Sequence, residues 1–224
     1  MNVAIIVAAG SGSRIGSDKP KQFLEIHGKP IIIHTLERFA SCDAVDGIVL
    51  VLPSDDVESF WETANRFSIK KITKIVAGGN TRAESVRNGL IAVSEQTEIV
   101  AVHDGARPLI SLIEITRTIA SAEKNGAACL VASVTDTIKE IADEKIVRTV
   151  DRSRLRRALT PQAFRLDILK KAFENADLSE AITDECYLVE KLGFQIACVK
   201  GSPLNIKVTN PEDLILAELF LNKG

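Results

Sequence analysis

Short apolar runs alternate with amphipathic stretches along the whole chain. Val3–Ala8, Ile48–Leu52, Ile72–Val76, Ile99–His103, Ala127–Ala132 and Phe194–Val199 have the length and composition of buried strands. Between them, Pro30–Ala40, Asp55–Phe67, Thr81–Ser94, Ser111–Asn125, Leu166–Asn175 and Asp184–Leu192 repeat apolar positions at helical spacing. A last helix is predicted over Pro211–Leu221, with Asn210 as N-cap and Pro211 in the first turn. Strands that alternate with helices predict an α/β fold with a mostly parallel sheet covered on both faces.

One stretch breaks the rhythm. Thr135–Thr149 reads as two short strands, Thr137–Ile141 and Lys145–Thr149, around the turn Ala142-Asp143-Glu144. It carries few large apolar residues, so it is expected to project from the sheet as a β-arm. No repeat, low-complexity tract or linker divides the chain. The reading is therefore one domain, 1–224, with the arm at about 135–157.

Composition narrows the possible partners. Hydrophobic residues make up 46% of the 224, enough for a substantial core. The formal net charge of -2 gives no general attraction to nucleic acid or an anionic membrane, so any phosphate site must come from a local cluster of basic residues. Cys42, Cys129, Cys186 and Cys198 form no C-x-x-C pair and have no histidine at metal-ligand spacing, as expected of reduced thiols in a cytoplasmic protein. The apolar run Asn2–Ala8 has no basic flank, is too short for a signal peptide or membrane span, and reads as a strand.

The strongest local signal is the loop Ala8-Ala-Gly-Ser-Gly-Ser-Arg-Ile-Gly-Ser-Asp-Lys-Pro-Lys-Gln22. Glycines after a first strand let backbone N–H groups approach phosphates closely. The loop is not a dinucleotide fingerprint, because Gly16 falls one residue late and Lys19-Pro20-Lys21 forces an extended chain where a helix should begin. It is not a P-loop, because no G-K-[ST] occurs. What remains is a glycine-rich loop carrying Arg14, Lys19 and Lys21. It is either a surface loop with chance lysines or a cradle for a triphosphate, which needs multidentate donors.

Ala8-Ala-Gly-x-Gly-x-Arg14 followed by Pro20-Lys21 resembles the signature of the sugar nucleotidyltransferase superfamily, and Pro20-Lys-Gln-Phe23 narrows it to the branch that transfers CMP. Gly78-Gly79…Arg82…Ser85-Val86, Val102-His-Asp-Gly-Ala-Arg-Pro108, Leu159-Thr-Pro-Gln-Ala-Phe164, Thr183-Asp184-Glu185 and Asn205-Ile-Lys-Val-Thr209 follow in order. Together they resemble the 2-C-methyl-D-erythritol 4-phosphate cytidylyltransferase family of the non-mevalonate isoprenoid pathway. The resemblance spans essentially the whole chain. It implies a Rossmann-like twisted sheet, a homodimer joined through the β-arm, and transfer of CMP from CTP to a sugar-alcohol phosphate with release of pyrophosphate.

In that reaction an acceptor phosphate oxygen attacks the α-phosphorus in line, so positioning and charge stabilisation carry the rate. The resemblance assigns Arg14, Lys21 and Lys207 to catalysis. It assigns the backbone of Ala8, Ala9 and Gly10, with Gly79, Asn80, Ser85 and Asp104, to CTP. Many relatives are acidic where Asn80 sits, but an amide oxygen can still accept from the cytosine amino group. Asp104, Arg107, Thr137, Arg152, Thr160 and Thr183 are assigned to the acceptor, with Thr137 and Arg152 reaching the neighbouring subunit's site. Mg2+ is implied by the triphosphate and is expected on phosphate oxygens and water, with no protein metal site.

Several of these residues have a plainer reading. Lys207 could be a solvated lysine on a strand, Ser85 a helix-start residue, Arg107 a partner for Asp104, and Thr183 an N-cap. His103 is expected to pack rather than react. Arg148, Arg152, Arg154, Arg156 and Arg157 form an arginine-dense segment without interleaved aromatics, so a solvated face explains it better than nucleic acid does. Ribitol-5-phosphate cytidylyltransferases share most of these motifs but usually place a bulkier residue before the arginine, where this chain has Gly105-Ala106-Arg107. A catalytically silent nucleotide-binding protein is the rival from another class, and it should have lost at least one of Arg14, Lys21, Asp104 and Lys207.

Overall fold

A computed structural model describes residues 1–10, 20–178 and 180–222. Its main sheet has seven strands: β1 (Asn2–Val7), β4 (Gly47–Leu52), β5 (Ile72–Ala77), β6 (Ile99–Asp104), β7 (Ala127–Ser133), β10 (Arg156–Arg165) and β11 (Ala197–Lys200). The order across the sheet is β11-β7-β10-β6-β1-β4-β5. Every adjacent pair is parallel except those made by β10, which runs antiparallel between β6 and β7.

Helices α1 (Ile31–Ala40), α2 (Phe60–Arg66) and α4 (Leu112–Asn125) cover one face; α3 (Arg82–Ala92), α5 (Leu166–Glu174) and α6 (Glu185–Lys191) cover the other. Alternation along β1 decides which side chain meets which layer. Ala4, Ile6 and Ala8 join the core under α1 and α4, while Val3 and Ile5 join the core under α3 and α5. Both faces of β1 are therefore buried, which is why the run reads as continuously apolar. Phe39 and Phe164 are fully buried, one in each core, and truncating either to alanine would cost about 3–5 kcal/mol.

Local chemistry fixes the helix ends. Ser111 and Glu114 form a reciprocal capping box at the start of α4, and Gly126 closes its end at φ +84°. Asn210 and Asp213 do the same for α7 (Pro211–Leu221). Outside the main sheet, β2 (Glu25–Ile26) pairs with β3 (Lys29–Pro30), and α7 packs over this corner through Ala217 against Ile26, Ile31 and Val208.

The arm is a separate hairpin, β8 (Ile138–Ala142) with β9 (Lys145–Val150), turning through Asp143 and Glu144 at positive φ. Its apolar side chains Ile141, Ile146 and Val147 are exposed. The arm is shorter than the sequence suggests, because Arg156 and Arg157 already pair with Ser133 and Ala132 in the main sheet.

Candidate active site

Three strand ends meet at the carboxyl edge of the sheet. The ladder continues one residue past each: Ala8 N–H donates to Val51 O (2.8 Å), Gly78 N–H to Leu52 O (2.8 Å) and Gly105 N–H to Val7 O (2.8 Å). The loops that leave β1, β5 and β6 are thus held side by side, at the edge where open α/β sheets place their sites. Close approach depends on glycine. A Cβ on Gly78 would lie 2.3 Å from Ala9 Cβ, and one on Gly105 would lie 2.8 Å from Ala8 Cβ.

Between these loops lies a cleft of about 450 Å3. Its lining includes Ala8, Ala9, Gly10, Lys21, Gly79, Asn80, Ser85, Asp104 and Lys207, so sequence-selected residues from five separate segments meet in one cavity. Arg14 and Lys19 lie outside the described residues.

Asp104 forms the electrostatic centre. Its Oδ1 accepts from Arg82 Nε (3.1 Å), and its Oδ2 accepts from Arg107 Nε (3.1 Å) and lies 3.0 Å from Lys207 Nζ. Burial alone would push the Asp104 carboxyl up, but Arg82, Lys207 and Arg107 outweigh it and hold it well below the usual carboxylate range. The carboxylate is ionised at neutral pH and gathers three cations at the cleft floor.

Arg82 carries this network to the other wall. Its Nη1 and Nη2 donate to Glu185 Oε1 and Oε2 at 2.6 and 3.1 Å, a bidentate pair in which Glu185 is fully buried. Burial disfavours the charged guanidinium, yet Glu185 and Asp104 hold Arg82 above its ordinary value. Gln162 on β10 completes the support: its Oε1 accepts from Glu185 N and Cys186 N, and its Nε2 donates to Asp184 Oδ2.

A second chain runs beneath Asp104. The Arg107 carbonyl can only accept, so His103 Nε2, 3.2 Å away, carries the ring proton. His103 Nδ1 therefore accepts from Thr160 Oγ1 (3.0 Å), which accepts in turn from Asp104 N–H (3.1 Å). Burial pushes His103 down to about 3, consistent with a neutral ring packed against Phe39. Thr160, assigned to the acceptor from sequence, is thus buried behind the cleft, with its hydroxyl committed to Asp104 and His103.

Not every predicted residue lines the cleft. Thr137 and Arg152 are exposed on the arm and at its base, where Arg152 Nη1 donates to Thr135 O. Thr183 is exposed and is not the cap of α6; Asp184 fills that role, its Oδ1 accepting from Tyr187 N–H at 3.0 Å. Ser85 Oγ donates to Thr81 O (2.9 Å) and accepts from Gly79 N–H (3.1 Å), which shapes the turn over the cleft. Lys207 is not on a strand. Its extended segment is pinned by Val208 N–H to Ala106 O (2.8 Å) and by Asn205, whose carbonyl accepts from Arg107 Nη1 and whose Nδ2 donates to Thr160 O.

Arg82, Glu185 and Gln162 fall within the sequence motifs, but nothing in their local sequence marks their roles. A buried arginine demands a carboxylate partner, but this pair is 103 positions apart, so spacing cannot reveal it. Among the described residues, no group of three or more His, Cys, Asp or Glu could hold a metal, and no helix is long and apolar enough to cross a membrane.

Residues 2–223 match the family model described as 2-C-methyl-D-erythritol 4-phosphate cytidylyltransferase. A protein of that name from Syntrophus aciditrophicus is 44% identical over 224 residues, covering 99% of this chain and 96% of its own. Another from Halalkalibacterium halodurans is 44% identical over 218 residues, covering 97% and 95%. The crystal structure of a 4-diphosphocytidyl-2C-methyl-D-erythritol synthase from Anaerococcus prevotii superposes with a TM-score of 0.86 at 31% identity, covering 99% of this chain and 96% of that one.

Proposed function

Because the chain belongs to the 2-C-methyl-D-erythritol 4-phosphate cytidylyltransferase family, we propose that the cleft floored by Asp104 is where its reaction takes place. The chain transfers CMP from CTP to 2-C-methyl-D-erythritol 4-phosphate, giving 4-diphosphocytidyl-2-C-methyl-D-erythritol and pyrophosphate for non-mevalonate isoprenoid synthesis.

One observation carries the assignment of the site: Lys21, Asp104 and Lys207, far apart in sequence, line the same cleft as the glycine-rich edges of β1 and β5. Cytosine lies against the backbone of Ala8, Ala9 and Gly10 and is read by Gly79, Asn80 and Ser85. Lys21, with Arg14, binds the triphosphate. Lys21 and Lys207 stabilise the charge that builds at the α-phosphorus as the acceptor phosphate attacks and pyrophosphate leaves. Asp104 holds hydroxyls of ribose or acceptor and orders Arg82, Arg107 and Lys207 around it. Thr160 acts through Asp104, while Arg107 and Thr183 serve the acceptor.

CTP enters as its Mg2+ complex. Asp104 is the one carboxylate lining the cleft among the described residues, and cations occupy both its oxygens, which suits an ion carried on phosphate oxygens rather than in a protein cage. The exposed apolar residues of the arm meet a second copy, and Thr137 and Arg152 reach that copy's acceptor site. The whole chain, 1–224, acts as one such domain in the cytoplasm.

The test supplies CTP and Mg2+ with either 2-C-methyl-D-erythritol 4-phosphate or ribitol 5-phosphate and follows pyrophosphate release. The methylerythritol acceptor should react much faster, and CTP should outpace ATP. Faster turnover of ribitol 5-phosphate would move the chain to the rival family.

A further inference from the structure

Gln22 is 1% exposed and lines the nucleotide cleft, yet its Nε2 has no hydrogen-bond partner among the described residues. An amide nitrogen can only donate, and leaving it buried and unbonded costs stability. The backbone gives it no way out. The turn Lys21–Phe23 is closed by Phe23 N–H to Pro20 O (2.9 Å) and Leu24 N–H to Lys21 O (3.2 Å), and the Phe23 ring packs against Phe60 with centroids 6.2 Å apart. Lys21 and Lys207 line the same cleft and carry no acceptor, and both oxygens of Asp104, which also lines it, are taken by Arg82, Arg107 and Lys207. No described residue accepts from Gln22 Nε2, so an acceptor brought by a ligand into the cleft would satisfy it.

We propose that Gln22 donates through Nε2 to a phosphate oxygen of the bound nucleotide, making it a binding residue for the triphosphate. This rests on the CTP reading above. With the base assigned to Ala8–Gly10 and to Gly79, Asn80 and Ser85, the lining residues Lys21, Gln22 and Lys207 are left for the phosphates. A phosphate oxygen accepts strongly, and a bond to a charged group is worth more than a neutral one.

The test titrates the α,β-methylene analogue of CTP with Mg2+ into the wild-type chain and into Gln22→Met and Gln22→Glu, with cytidine titrated in parallel by NMR. Gln22→Met keeps length and loses the donor, so affinity for the analogue should fall by about tenfold or more. Gln22→Glu sets a negative charge against the phosphates and should fall further. Cytidine affinity should stay within about twofold in both, because the nucleoside does not reach Gln22. Unliganded Gln22→Met should unfold at or above the wild-type temperature, since an apolar group replaces an unmade bond. If either variant binds the analogue as tightly as wild type, the proposal is overturned; tight binding by Gln22→Glu would mean the side chain accepts. A parallel loss of cytidine binding would overturn it too, by making Gln22 a general support of the pocket. If the wild-type chain binds no CTP analogue, the CTP reading falls together with it, so the two failures are told apart.

Discussion

Lys207 Nζ lies 3.0 Å from Oδ2 of Asp104, the carboxylate that also takes Nε of Arg82 and Arg107. A lysine proposed to act at the α-phosphorus is therefore already aimed into the cleft, held by an anion that also orders both walls. Such preorganisation keeps charge in place before the transition state needs it.

Removing that anion should destabilise the fold as well as the chemistry. Asp104→Ala leaves Arg82, Arg107 and Lys207 facing one another in a partly buried site, so its unfolding free energy in urea should fall by about 3–5 kcal/mol. Asp104→Asn keeps hydrogen-bonding oxygen and should lose less. Equal stability of Asp104→Ala and wild type would mean that the three cations do not depend on this carboxylate.

His103 gives the stability a pH signature. Burial pushes it down to about 3, so between there and the ordinary histidine value the unfolded chain binds a proton that the folded chain refuses. Its contribution is complete above that ordinary value and is lost as pH falls, at up to about 1.4 kcal/mol per pH unit. Urea midpoints between pH 5 and pH 6.5 (roughly the window before carboxylates titrate) should drop on acidification, and His103→Gln should flatten the slope. His34, also lowered by burial, supplies a remainder. An unchanged slope in His103→Gln would place the effect elsewhere.

Most of the fold was legible in the chain because its strands are continuously apolar and its helices capped by short-range chemistry, as at Ser111–Glu114 and Asn210–Asp213. The strand β10 was not. It opens with Arg156 and Arg157 and carries Pro161 mid-strand, features that argue against a central strand; a register shift between Ala158 and Gln162 accommodates them. The site divides the same way. Asp104 could be read from the end of an apolar strand, whereas Arg82–Glu185 and Thr160–His103 are contacts across the fold that no local pattern encodes.

The arm predicts shared sites. Its hairpin leaves Ile141, Ile146 and Val147 exposed, as a surface that a second copy covers would do. Lys21→Ala and Arg152→Ala chains, each expected to be strongly impaired alone, should regain activity when unfolded and refolded together. A mixed dimer would hold one site with both defects and one with neither; random pairing makes about half the dimers mixed, so roughly a quarter of all sites should recover. No recovery, with mixed dimers confirmed by mass, would mean each site is built within one chain.

Cations of this cleft are proposed to stabilise the transferring phosphorus, and single-turnover CMP transfer measures that contribution. Lys21→Ala and Lys207→Ala should each slow transfer to 2-C-methyl-D-erythritol 4-phosphate by about a hundredfold or more while the chain stays folded. Near-normal transfer by either variant would contradict that residue's role, and near-normal transfer by both would place the chemistry outside the cleft.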